Sequence, residues 1–289
     1  MRYFLNSMLM LFFIGSFTLK AQDEFQGKAI YQSKTKLELD LSASGIPADR
    51  QKMIEERMKS RLERTYELSF NKTASIYKEE EQLESTGGRG GMRMMMIGGA
   101  GSGDYYKNIQ TKTSATENEF SGKNFLIKDN LTNYEWKMEQ ETKMIGQNLC
   151  FKATTIVEMP SQDMQVQFGR RGQNRNNQED ENRPEGPIME PTIVTAWYTM
   201  EIPVGHGPDD FWGLPGLILE VSYQNTSILC TKIVMNPKEK KEIKEPNKGK
   251  VVTQEEYDKI VREKMEEMRE RMQNERQKGD GNHRIMIRG

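Results

Sequence analysis

The sequence predicts a mainly antiparallel β protein: an open, curved sheet with one helix in the N-terminal half and an amphipathic helix at the C-terminus. Three observations carry this expectation. Short runs of alternating apolar and polar residues recur along the chain, the period-two signature of half-buried strands. Turn-forming Gly, Pro, Asn and Asp separate them. Two stretches break that rhythm with apolar residues three and four apart, the period of a helix.

Taken in order, residues 25–41 carry a strand pattern with Ala29 and Tyr31 on one face. Pro47 can open a helix, and Ile54, Met58 and Leu62 recur on one side of it. Strands are expected at 66–70, 74–77, 124–127, 133–136 and 149–157. At 194–202, Val194, Ala196, Tyr198, Met200 and Ile202 share one face, and Thr195, Trp197, Thr199 and Glu201 the other. Strands 217–223 and 228–235 are joined at 224–227, a hairpin connection. Thr253 and Glu256 have capping-box spacing, and Tyr257, Val261, Met265, Met268 and Met272 form a helical stripe. Glu255–Lys259 and Glu267–Arg271 support its exposed face at four-residue spacing. The helix is expected over 251–275, followed by a tail, 276–289. The domain between, 22–250, is expected to carry two flexible insertions, a Gly- and Met-rich one near 85–104 and a polar one near 161–190.

Residues 1–21 have the make-up of an export signal. Arg2 gives a positive start, residues 8–19 are apolar, and Ala21 is a small residue before Gln22. That stretch is too short to cross a bilayer as a helix, and no later segment is apolar enough to do so. No cysteine follows the cleavage point, so a lipid anchor is not expected. The mature chain is expected in the periplasm or outside the cell. Net charge is −1, which leaves no global field to recruit nucleic acid. The basic run 238–241 is interleaved with acids and lacks aromatic stacking partners, so it reads as a solvated face.

The densest sequence signal is Phe211-Trp212-Gly213-Leu214-Pro215-Gly216-Leu217-Ile218. Proline fixes φ and glycine opens angles closed to other residues, so Gly213 to Gly216 define a rigid turn pressed against an apolar strand. Gly213, Leu214, Pro215, Gly216, Leu217 and Ile218 match, letter for letter, the motif of the GLPGLI proteins of Bacteroidetes. Cys150-Phe151-Lys152-Ala153-Thr154, the lead-in from Ala196 to Pro208, and residues 236–257 also resemble that family. The resemblance covers about 143–260. It implies an envelope accessory protein, of a kind considered alongside TonB-dependent outer-membrane transport, and it brings no established biochemical activity with it.

Four candidate sites follow from residue chemistry. Trp197, Tyr198, His206, Phe211 and Trp212 gather around the motif and could form a surface for a protein partner or an apolar ligand. His206 with Asp209 or Asp210 could serve a hydrolase, although no serine or cysteine stands in a nucleophile context. Glu220 is a further carboxylate, and His283 lies in the polar tail. Met92, Met94, Met95 and Met96 offer soft thioethers to Cu(I), without His or Cys among them. Cys150 and Cys230 are a candidate disulfide in an oxidising compartment. In a flat meander their strands would stand about 14 Å apart at roughly 4.8 Å per strand, beyond the roughly 7 Å a bridge allows. Either the sheet curls or the thiols stay free. The leading expectation is a non-enzymatic binding or interaction protein with no cofactor.

Overall fold

Twelve strands form a single sheet in the computed structural model, which describes residues 25–36, 47, 49–50, 62–80, 103–160 and 189–283, with the side chains of 273 and 276–283 outside that description. The strands are β1 (Gln26–Thr35), β2 (Glu63–Asn71), β3 (Ala74–Glu79), β4 (Tyr105–Asn108), β5 (Thr113–Phe120) and β6 (Lys123–Asn130). They continue as β7 (Lys137–Ile145), β8 (Asn148–Pro160), β9 (Met189–Thr199), β10 (Leu217–Tyr223), β11 (Thr226–Met235) and β12 (Lys250–Val252). Helix α1 (Gln254–His283) follows. Across the sheet the order is β12-β6-β5-β4-β3-β2-β1-β11-β10-β9-β8-β7. Two runs, β1 to β6 and β7 to β11, are therefore meanders, stitched together where β1 lies antiparallel to β11. All pairings are antiparallel except β12 with β6.

Register puts the core on one face. Ala29 opposes Leu68, Tyr31 opposes Tyr66, Leu68 opposes Tyr77, and Tyr77 opposes Tyr105. Ser75 opposes Lys107 two residues further along, so Tyr66, Leu68, Tyr77, Tyr105 and Lys107 share the face of Tyr31. On the other meander, Ala153 opposes Ala196 and Ala196 opposes Val221. Val221 in turn opposes Ile228. Bulges at Thr231 in β11 and Leu219 in β10 add residues that bend their strands. They curve the sheet about this inner face, which holds the two largest buried clusters.

At the β6 end the face is closed by α1. Tyr257 is buried against Phe120, Phe125, Ile127 and Val252, with Ile260, Val261 and Met265 beside it. The capping box forms as its spacing predicts: Thr253 N–H donates to Glu256 Oε2 at 3.1 Å and Glu256 N–H donates to Thr253 Oγ1 at 3.2 Å. The ion pair between Glu267 and Arg271 is also present. The helix runs to His283, past the expected end near 275. It also begins later than expected, since residues 250–252 pair as β12. At the opposite end of the sheet, the connection from β9 to β10 folds over the inner face.

Two expectations need correction. Residues 133–136 are not a strand, because Tyr134 and Trp136 leave the sheet to grip the β9–β10 connection. Strand β9 ends at Thr199, where the chain turns, so Met200 is exposed while Ile202 is buried in the connection. Four strands (β4, β5, β7 and β12) lie where polar or short segments gave little alternation. Among the described residues α1 is the one helix long enough to form an element. Asp49, Arg50 and Leu62 are helical, but Ile54 and Met58 of the expected N-terminal-half helix lie outside the described residues. No helix of the described residues is long and apolar enough to cross a membrane.

Removing the capping side chain should isolate the contribution of α1. Thr253→Ala is expected to lower stability by about 0.5–2 kcal/mol. Urea unfolding followed by far-ultraviolet circular dichroism checks it.

Candidate functional site

The connection 200–216 owes its shape to glycine and proline, in two different ways. Gly213 adopts φ +94°, a left-handed conformation that other residues rarely take. Gly216 is required by contact instead: a Cβ there would lie 2.0 Å from the carbonyl oxygen of Thr199. Backbone hydrogen bonds then tie the connection to itself, Gly213 N–H to Gly205 O at 3.0 Å, Leu217 N–H to Ile202 O at 2.9 Å and Ile218 N–H to His206 O at 3.0 Å. Tyr31, fully buried in β1, donates its hydroxyl to Ile218 O at 2.7 Å.

Lys107 locks this loop onto the sheet. It reaches from β4 with its whole side chain buried, and its Nζ donates to the carbonyls of Gly207 at 2.9 Å, Asp209 at 2.5 Å and Phe211 at 2.9 Å. Three acceptors need three N–H donors, which the ammonium has and the neutral amine lacks. Burial lowers the pKa of Lys107, and the carboxylates of Asp210 and Asp209 oppose that shift. No alternation or motif in the sequence marks Lys107. Its only signal is a lysine flanked by Tyr105 and Tyr106 on one side and a turn on the other.

Asp209 sits at the crown of the loop with φ +52°. The residue is exposed, and its carboxylate accepts from the backbone N–H of Asp210. Its pKa is nevertheless raised, by burial first and Asp210 second, against the pull of Lys107. Tyrosines of the inner face lie within electrostatic reach of it. Burial raises the pKa of Tyr77 and of Tyr223, and in both the Asp209 carboxylate is the next cause. Tyr66 and Tyr105 also feel Asp209, after burial and nearer groups. Tyr66 and Tyr77 stack at 4.7 Å with 11° between ring planes. Tyr134 donates to Asp210 Oδ2 at 2.5 Å and packs on Phe211, which packs on Tyr223. The buried hydroxyl of Tyr77 has no hydrogen-bond partner.

The five aromatic-site residues read from the sequence take separate positions. Tyr198 and Phe211 are buried, Tyr198 donating to Met138 Sδ at 3.3 Å. Trp197 lies on the outer face beneath Lys143, whose Nζ stands 4.2 Å from the ring centroid and pairs with Glu220 at 2.7 Å. Trp212 donates to Thr132 O at 2.8 Å, and its own carbonyl accepts from Trp136 Nε1 at 2.8 Å. His206 is fully buried beside Phe70, with Nε2 3.1 Å from Asn71 O and Nδ1 unpartnered. Burial, with Lys107 adding to it, lowers the pKa of His206 to about 3. Its ring hydrogen-bonds neither Asp209 nor Asp210, so the acid–base pair that a hydrolase would need is not assembled among the described residues.

Cys150 and Cys230 are both free, in place of the candidate bridge. Their strands, β8 and β11, stand three positions apart in the sheet. Burial raises the two thiols to about 11 and about 12, which leaves them protonated and unreactive. Met92, Met94, Met95 and Met96 lie outside the described residues, as does most of both expected insertions.

Residues 136–220 match a family described as "Protein of unknown function (Porph_ging)", a Bacteroidetes-associated family. The matched segment holds β7 to β9, the connection with His206, Asp209 and Asp210, and the start of β10. Lys107 and the tyrosines of β2 to β4 lie outside it. None of the curated proteins matches the chain. Among solved structures, the chain is similar to PNGF-II in its C2 crystal form, with 13% identity and a TM-score of 0.48, over 82% of this chain and 32% of that one. The P21 form gives 12% identity and a TM-score of 0.47, over 82% and 33%. The chain thus spans about a third of the length of PNGF-II.

Two outcomes are expected of variants here. Lys107→Met leaves three carbonyls without their donor, and at about 1–3 kcal/mol for each unsatisfied buried group the loss should exceed about 3 kcal/mol. A urea midpoint unchanged by that substitution would contradict the role assigned to Lys107. His206 stays neutral in the fold, so its contribution is complete above the ordinary histidine range near pH 6.5. It is lost as pH falls towards 3, by about 1.4 kcal/mol per unit. The stability gap between wild type and His206→Gln should therefore narrow by about 2 kcal/mol between pH 7.5 and pH 5.0.

Proposed function

We propose that this protein is an exported, non-enzymatic binding protein of the bacterial envelope, of the GLPGLI kind, and that its ligand surface is the inner face around Asp209. One observation carries the reading: Lys107 holds the exposed loop residue Asp209 against the inner face of the sheet, the face that Tyr66, Tyr105 and Tyr223 share. Half-buried Tyr66, Tyr105 and Tyr223 offer ring faces and hydroxyls to a ligand at small cost in side-chain entropy. His206, the one histidine near the loop, is fully buried and held neutral, which favours binding over acid–base chemistry. The export-signal features of residues 1–21 support binding beyond the inner membrane, in the periplasm or outside the cell. A role alongside outer-membrane transport fits such a protein.

The experiment is mass spectrometry of protein taken from the envelope fraction of its own cell. The denatured mass is expected to correspond to a chain beginning at Gln22; retention of residues 1–21 would refute export. The native mass is expected to include a small-molecule adduct that Tyr66→Ala and Tyr223→Ala lose. If an adduct persists in both variants, the ligand surface lies elsewhere.

A further inference from the structure

On the outer face, register sets two carboxylates against each other. Tyr106 opposes Ala115 and Tyr105 opposes Thr116, so one step further along the same pairing Asp104 stands opposite Glu117. Gly103 N–H donates to Asn118 Oδ1 at 2.9 Å and keeps the two segments together past that point. Like charges directly opposed across a sheet are unfavourable. Each carboxylate is answered through one oxygen. Lys78 Nζ stands 3.3 Å from Asp104 Oδ1, and Glu117 Oε1 accepts the backbone N–H groups of Asn247 and Lys248 at 3.0 and 2.8 Å. The other oxygen of each has no partner among the described residues.

Both carboxylates line one cavity of about 300 Å³, a size that small-molecule sites commonly have. Ile76 and Tyr106, cross-strand partners, line it from the sheet, and Lys244 and Pro246 from the connection between β11 and β12. That connection is fixed on both sides of Lys244. Lys241 pairs with Glu67 at 2.7 Å, Glu245 pairs with Lys128 at 2.6 Å, and Ile243 packs against the buried cluster that contains Tyr106. Lys244 itself is exposed and makes no hydrogen bond or ion pair among the described residues. Its ammonium is therefore uncommitted at the wall opposite the sheet.

Free carboxylate oxygens, a free ammonium and an apolar wall thus meet at one cavity. Their complement carries an ammonium, a carboxylate and a short apolar body. A simple amine would leave Lys244 unanswered, and a simple carboxylic acid would meet Asp104 and Glu117 as like charges. A zwitterion makes charge-assisted hydrogen bonds to both sides. We propose that the outer-face cavity between β3–β5 and the connection 236–249 binds an apolar α-amino acid. Its ammonium sits on Asp104 and Glu117, its carboxylate on Lys244, and its side chain against Ile76 and Tyr106. The site lies on the face of the sheet away from Asp209, so the proposal does not rest on the reading of the inner face as a ligand surface.

The test uses the mature chain and three probes in calorimetric titration: leucine, isopentylamine (leucine without its carboxylate) and 4-methylpentanoate (leucine without its ammonium). Leucine is expected to bind more tightly than either analogue by about tenfold or more. Lys244→Met should bring leucine down to the affinity of isopentylamine and leave isopentylamine unchanged. Asp104→Asn should weaken leucine and isopentylamine alike, by about tenfold, and 4-methylpentanoate not at all. Asp104 and Lys244 are both exposed, so the urea midpoints of the two variants should stay at the wild-type value. Isopentylamine binding as tightly as leucine, or leucine binding unchanged in Lys244→Met, would overturn the proposal, as would binding of none of the three. Leucine binding lost in Tyr66→Ala but kept in Lys244→Met would move the amino acid to the inner face and refute this site.

Discussion

A buried ammonium ion holding three backbone carbonyls is the constraint on which the rest of this structure depends. Lys107 comes from one meander and the carbonyls of Gly207, Asp209 and Phe211 from the other. The sheet is continuous only through β1 and β11, so this contact closes the curvature from the far side. A lysine fully removed from water is costly unless its charge is answered. Here three hydrogen bonds and two nearby carboxylates answer it. Asp209, whose carbonyl is one of the three, takes a left-handed backbone position in the same loop.

Close backbone approach explains Gly216 of the motif and Gly207 before it, whereas Gly213 serves a left-handed φ. Gly216 lies where a Cβ would meet the Thr199 carbonyl at 2.0 Å, and Gly207 where it would meet the Ile218 side chain at 2.8 Å. The loop thus packs tightly enough to bring Ile218 under Phe211 and Leu214 while Leu217 and Leu219 enter the neighbouring cluster. Trp136 and Trp212 clamp its outer rim through carbonyls of residues 212 and 132. Packing on this scale buries Tyr198 and Phe211 beside the motif and leaves Trp197 and Trp212 partly exposed.

Much of the fold was legible because its signals are local. Alternation in 194–199 and 217–223 marks strands that the structure contains, and the Thr253–Glu256 box is a contact between residues three apart. Residues 133–136 misled because an aromatic-rich stretch that leaves a sheet to cap a loop looks, in sequence, like one that stays in it. Strand β7 escaped notice because it is an edge strand whose alternating positions are nearly all polar or exposed. The candidate site was legible only in its loop half. Asp209, Asp210 and His206 stand beside a recognisable motif, whereas Lys107, Tyr66, Tyr77 and Tyr105 lie about 100 residues or more before it.

By itself, the sequence determined many of the elements, the rigid turn at Gly213 to Gly216 and the capped C-terminal helix, since each is set by dihedral preference or by contacts within a few residues. Only the tertiary structure decided which side chains share a hollow. Strand order and register are choices among long-range pairings, and a two-residue period says which residues share a face but not which faces meet. That Tyr77 would lose its partner, that His206 would be sealed from water and that Lys107 would keep its charge while buried all depend on β1 pairing with β11 and on the curvature that follows. Those outcomes are properties of the assembled sheet, where burial and electrostatics act between residues the chain holds far apart.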